Sequence, residues 1–176
     1  MKASGLSYRE EVRVADEEAV RAIVQASGFF SPEEVAIAAE LVAERLSQGE
    51  QSGYFFLFDE QAGQVAGYTC FGPISGSTHS FDLYWIAVAD TLRHQGIGKD
   101  LLSRCEALIG QQGGQRIYIE TSARPQYGET VAFYLACGYR QEAFLPDFYA
   151  PGDGKIILVK VLLDAVTDRQ SRSTTK

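Results

Sequence analysis

The residues best suited to chemistry lie between Arg93 and Leu102, where Arg93-His94-Gln95-Gly96-Ile97-Gly98-Lys99 runs straight into an amphipathic pattern. A turn that cradles phosphate needs converging backbone N–H groups, little side-chain bulk and a helix N-terminus behind it. This stretch supplies all three. A dinucleotide-binding fingerprint would want a small residue at Leu101 and a shorter link after the preceding strand than "ADTLRHQ". A nucleotide P-loop would want Ser or Thr after Lys99, which is followed instead by Asp100. What remains is an anion-binding turn or a helix start that merely contains two glycines, and the flanking residues must decide.

Composition narrows the ligand. The 176 residues suit one domain, long enough to bury roughly two-thirds of the unfolded surface. A net charge of -7 argues against nucleic-acid backbones and anionic membranes, so any polyanion must meet a local basic patch. Cys70, Cys105 and Cys137 are odd in number and have no paired spacing, which predicts neither a disulfide framework nor a metal site. With no apolar leader in "MKASGLSYREE", a cytoplasmic protein is expected.

The elements that must position the turn follow from periodicity. "REEVRVA" alternates and predicts a first strand, after which Asp16 is the expected cap of a helix with Ala19, Val20, Ile23 and Val24 inward. Ser31, Pro32 and Glu34 form a capping box opening a second helix that stops at Gly49. Its predicted buried stripe is Val35, Ala38, Ala39, Val42 and Leu46. "GYFFLFDE" and "QVAGYTCFG" make a hairpin, and "SFDLYWIAVAD" adds a third strand. A helix over 96–113, the strand "GQRIYIETSA", the short helix "ETVAFYLACG" and two strands joined at "APGDG" complete the domain, expected over residues 1–163. Residues 164–176 read as a polar, flexible tail.

The arrangement Arg93-x-x-Gly96-x-Gly98, after a strand and before an amphipathic helix, resembles the acyl-CoA pyrophosphate loop of the GNAT acyltransferase superfamily. "AFYLACGY" resembles a second hallmark of that superfamily, a short helix with an aromatic pair ending in Gly and an aromatic residue. The element order agrees, and "ETSARPQYGETVAFYLACGYR" with "DFYAPGDGK" is similar to an uncharacterised bacterial subgroup of GNAT proteins. The resemblance implies an α/β (α+β) fold with one mixed, mostly antiparallel sheet of about six or seven strands and about four flanking helices. It implies transfer of an acetyl group from acetyl-CoA, with no metal, to a primary amine of a small molecule. Acetylation of a protein N-terminus or lysine, and a non-catalytic acyl-CoA-binding module, are the alternatives. Nucleic acid and membrane are not expected partners, and the protein is expected to be a monomer or homodimer.

The same resemblance assigns residues. The cofactor's phosphates fall to Arg93, His94, Gln95, Gly96, Ile97, Gly98 and Lys99, its pantetheine arm to Ile86, Ala87 and Val88, and a further contact to Phe133. Glu120 matches the general base of some relatives, with Asp82, His79 and Tyr84 as rivals. Tyr134 matches the tyrosine that points at the cofactor sulfur, and is expected on the buried side of its helix with Val131 and Leu135. Phe29, Phe30, Tyr84, Phe148 and Tyr149 are the expected acceptor-pocket residues. One departure stands out: relatives often carry asparagine early in the aromatic-pair helix, where this chain reads "RPQYGET".

Overall fold

Strand pairing sets the frame. The computed structural model describes residues 7–162, so the expected tail lies outside the described residues. Strands β1 (Ser7–Arg9), β2 (Phe55–Gln61), β3 (Gln64–Pro73), β4 (Ser80–Val88), β5 (Arg116–Ser122), β6 (Arg140–Ala150) and β7 (Asp153–Val161) form one sheet in the order β1-β2-β3-β4-β5-β7-β6. Helices α1 (Ala15–Ala26), α2 (Pro32–Gln48), α3 (Ile97–Gln111) and α4 (Gly128–Ala136) complete it. All neighbouring strands are antiparallel except β4 and β5, which are joined through α3. The expected mixed sheet with helices is the observed one.

The two faces of the sheet carry separate cores. Val20, Val24, Val35, Ala38 and Val42 of α1 and α2 pack on Phe56, Phe58, Tyr68 and Cys70. On the other face Leu102, Cys105 and Ile109 of α3 and Tyr134 of α4 pack on Phe71, Phe81, Leu83, Ile117, Ile119 and Leu158. The capping box of α2 forms as expected, with Glu34 N–H donating to Ser31 Oγ and Ser31 N–H to Glu34. Leu46, predicted in the stripe, is instead exposed, because in the last turn of α2 it is the neighbouring Arg45 that lies over the Phe55 ring of the sheet.

The first strand departs from expectation. The strand is Ser7–Arg9, and the alternating residues 10–14 form a connection in which Val14 is exposed. Asp16 does not cap α1 but lies buried inside its first turn, where it accepts from Arg9 and from the Arg13 N–H at 2.7 Å. Arg9 also donates to Glu60 on β2 at 2.7 Å. These long-range bonds, rather than alternation, decide where the strand ends.

Two features of β4 matter for function. Its pairing to β5 extends only from Ser80↔Arg116 to Asp82↔Tyr118, although both strands run on. Beyond Asp82 the strands part, and a cleft opens with unpaired β4 backbone on one side. A bulge at Tyr84, where Phe71↔Leu83 gives way to Cys70↔Trp85, adds one residue to β4. Because side chains alternate, that residue returns Ile86 and Val88 to the α3 side and sends Trp85 and Ala87 to the α1–α2 side. Among the described residues, no helix is long and apolar enough to cross a membrane, and no group of three or more His, Cys, Asp or Glu side chains is placed to hold a metal ion.

Candidate active site

The glycine turn sits at the wide end of the cleft. After Val88 a single 3-10 turn (Asp90–Leu92) leads to His94 at φ +61° and Gly96 at φ +87°, both left-handed. Glycine suits such a conformation at no steric cost, whereas His94 is held there by the turns around it. Helix α3 then starts with no side-chain cap, and its first internal bond is Asp100 N–H to Gly96 O at 3.0 Å. The N–H groups of Ile97, Gly98 and Lys99 therefore lack helical partners and meet the positive end of the helix dipole. An anion fits there. A Cβ placed on Gly98 would lie 3.7 Å from both Phe133 Cζ and Val88 Cγ2, so this glycine faces the gap between the end of β4 and α4. Val88, Gly98 and Phe133, distant in sequence, line one slot.

The charge around the turn is smaller than the sequence implied. Lys99 and His94 are exposed. Arg93, however, is 3.6 Å from Asp90 and its guanidinium lies 5.6 Å from the Phe29 ring centre. It faces the α1–α2 loop rather than the start of α3.

The narrow end of the cleft holds carboxylates. Asp82 and Glu120 lie on the sheet face opposite α3: Phe81, Leu83, Ile117 and Ile119 point into the α3 core, and their strand neighbours point away. Glu120 accepts from Lys155 Nζ at 2.5 Å, and that ammonium lies 3.7 Å from the Phe148 ring centre. Burial first, and the Glu120 charge second, push the Asp82 carboxyl up to about 6, with Lys155 opposing. Burial and then Asp82 push the Tyr84 phenol up to about 12, so it stays neutral. His79, a rival base by sequence, is not brought to the cleft. It precedes β4, with Nδ1 3.1 Å from Gly113 O at the far end of α3.

Aromatic side chains roof this end. Phe30 packs on Trp85 at 4.9 Å between ring centres, and Phe29 lies 6.4 Å from Tyr127. The Tyr127 hydroxyl donates to Phe29 O at 3.3 Å, tying the α1–α2 loop to the start of α4. Thus Tyr127, in the segment where relatives often carry an asparagine, turns toward the α1–α2 loop. Phe148 and Tyr149 stand edge to face at 5.0 Å on the β6–β7 hairpin, each about half exposed. Tyr84 packs against Tyr54 at 5.4 Å. Tyr134 is buried between Phe133 and Tyr139, and burial raises its phenol far above the usual range. Leu135, expected beside it, is 48% exposed, because consecutive helix residues point about 100° apart.

Lys155, Tyr127 and Trp85 were not singled out by sequence. Lys155 opens an apolar strand segment, "KIILV", and its only signal is a charged residue at an inward position of the alternation.

Comparison with known proteins agrees with this geometry. The sequence model of the acetyltransferase (GNAT) domain matches residues 51–141, just over half of the chain. A protein from Desulfovibrio desulfuricans assigned to the GNAT family of acetyltransferases is 40% identical, with a TM-score of 0.87 over 89% of this chain and 98% of that one. An aminoglycoside 6'-N-acetyltransferase solved with coenzyme A (18% identical, TM-score 0.73, covering 90% and 97%) shares the fold. So does a ribosomal-protein-alanine N-acetyltransferase from Brucella melitensis (22%, TM-score 0.71, covering 89% and 99%). No protein of curated function matches the sequence. With the domain match, the relative at 40% identity and the cleft all in agreement, the chain belongs to the GNAT family of acetyltransferases, enzymes that draw their acetyl group from acetyl-CoA.

Proposed function

We propose that the chain moves an acetyl group from acetyl-CoA to the primary amine of a small molecule by direct attack of the amine on the thioester. One observation carries this reading: a single cleft has an uncapped helix N-terminus at its wide end and two carboxylates at its narrow end. The N–H groups of Ile97, Gly98 and Lys99 bind the phosphates of the cofactor. The unpaired backbone of Ile86, Ala87 and Val88 takes its pantetheine arm as an added strand, beside Phe133. This places the thioester near the middle of the cleft.

The acceptor enters from the carboxylate end, walled by Phe29, Phe30, Tyr84, Phe148 and Tyr149. A lysine-like amine must lose a proton at a cost of about 4.6 kcal/mol at pH 7, an α-amine about 1.4, so a carboxylate base matters most for the first. Glu120 and Asp82 are the two groups in place to take that proton. As the amine nitrogen bonds to the carbonyl carbon, the carbon–sulfur bond breaks and the sulfur leaves as thiolate. Tyr134, held protonated by its burial, donates a hydrogen bond to the charge developing there.

The tie between Tyr127 and Phe29 closes the mouth on one side, which favours a compact acceptor over a threaded polypeptide. Free thiols at Cys70, Cys105 and Cys137 suit a cytoplasmic setting. Thiol release from acetyl-CoA, followed across free amines and N-terminal peptides, tests the reading. Turnover with free amines is expected. Acetylation of peptides alone would overturn the small-molecule assignment, and binding without turnover would make the chain an acyl-CoA-binding module.

A further inference from the structure

We propose that Lys155 is a positioning residue that ties Glu120 down, and that Asp82 is the carboxylate that takes the acceptor's proton. The inference rests on the acetyl-transfer reading above and names a different base from the one expected by sequence.

The geometry of the three residues is specific. Glu120 faces Ile157 and Ser122 faces Lys155 across the β5–β7 ladder, so Lys155 reaches Glu120 on the diagonal of one sheet face. Its Nζ is 2.5 Å from Glu120 Oε2, its side chain is only 10% exposed, and the Phe148 ring covers it from 3.7 Å. That bond engages Glu120 Oε2 and holds the half-exposed Glu120 side chain against β7, so a proton delivered to this oxygen would have to displace the ammonium. Among the described residues Asp82 is held by no such partner. It is half-buried at the vertex of the cleft, and only unlike and like charges at a distance act on it.

The groups facing Asp82 are few: Glu120 from β5, Lys155 from β7, and Tyr84, with Tyr54 behind it. The tyrosines stay neutral near pH 7. Burial and Glu120 hold the carboxyl up at about 6, close to the range in which a base works best at neutral pH. In the reaction the amine proton passes to Asp82 as the new nitrogen–carbon bond forms and the carbon–sulfur bond breaks. The thiolate takes a proton from water, and Asp82 returns its own to solvent.

The test is the pH profile of kcat/KM for the wild type, Lys155→Met, Lys155→Arg, Glu120→Gln and Asp82→Asn, with acetyl-CoA affinity measured for each as a control on folding. The wild-type profile should fall about tenfold per pH unit below about 6. Lys155→Met removes a positive charge and frees a negative one, so the acid limb should move to higher pH, and Lys155→Arg should restore it. Glu120→Gln should move the limb to lower pH but keep it. Asp82→Asn should abolish it and cost about 100-fold or more in rate. The proposal is overturned if Glu120→Gln abolishes the limb while Asp82→Asn keeps it, or if Lys155→Met leaves it in place. Running the same series on an N-terminal peptide separates the two readings, because activity on peptides alone sinks the small-amine function while the limb still reports on Lys155.

Discussion

Substitution of Gly98 separates cofactor binding from folding. A Cβ at this position lies 3.7 Å from Phe133 Cζ and Val88 Cγ2, an ordinary contact, so alanine fits the protein as it stands. In a helix alanine is more stable than glycine by about 0.5–1 kcal/mol, and Gly98→Ala should therefore melt no lower than the wild type. Valine carries two further methyl groups into the slot through which, in the proposed function, phosphate approaches the N–H groups of the first turn. Losing one hydrogen bond to a charged phosphate costs about 1.5–3 kcal/mol, which is about 10- to 150-fold in Kd. Gly96 provides the contrast. Nothing lies within 4 Å of a Cβ there, but φ is +87°, so Gly96→Ala should lose about 1–2 kcal/mol of stability from backbone strain alone. Two glycines two residues apart should thus shift the melting temperature in opposite directions. Calorimetric titration of acetyl-CoA decides the matter: a folded Gly98→Val protein with a Kd within about twofold of wild type would refute the phosphate cradle.

Two other perturbations probe different parts of the molecule. Tyr134→Phe should keep the fold and acetyl-CoA affinity while lowering kcat by about tenfold or more, since only a bond made as thiolate develops is removed; equal turnover would leave Tyr134 a core residue. Asp59 on β2 is fully buried, among the described residues neither carboxylate oxygen has a hydrogen-bond partner within reach, and burial raises its pKa in the folded state. Its raised folded value means that protonation favours folding, so stability is highest below the unfolded value near ~3.9 and is lost as pH rises through the folded one. Asp59→Asn should therefore raise the melting temperature at pH 7 and do so less at pH 4; an equal gain at both would show that charge is not the cause.

Much of the fold could be read along the chain because its signals are local. The capping box of α2 spans three residues, the hairpin between β2 and β3 turns on Ala62 and Gly63, and the stripe of α3 repeats at helical spacing. The departures from local pattern arise at contacts between distant parts of the chain. Arg9 meets Glu60 from 51 positions away, and this pairing ends β1 early and pulls Asp16 out of its expected capping role. Leu46 satisfies the helical period, yet in the last turn of α2 it is Arg45 that lies over the Phe55 ring of β2.

The same division runs through the site. By itself the sequence determined the glycine turn, the aromatic-pair helix and the strand that carries Glu120, because a phosphate-binding turn is made by consecutive backbone groups and leaves a consecutive signature. Only the tertiary structure decided which side chains share the cleft. The parting of β4 from β5 after Asp82 depends on where two strands stop pairing, and the bond from Lys155 to Glu120 depends on the register of β7 against β5. Registers are set by packing on both faces of the sheet, so the partner that bonds Glu120 lies 35 residues away, invisible to spacing and composition.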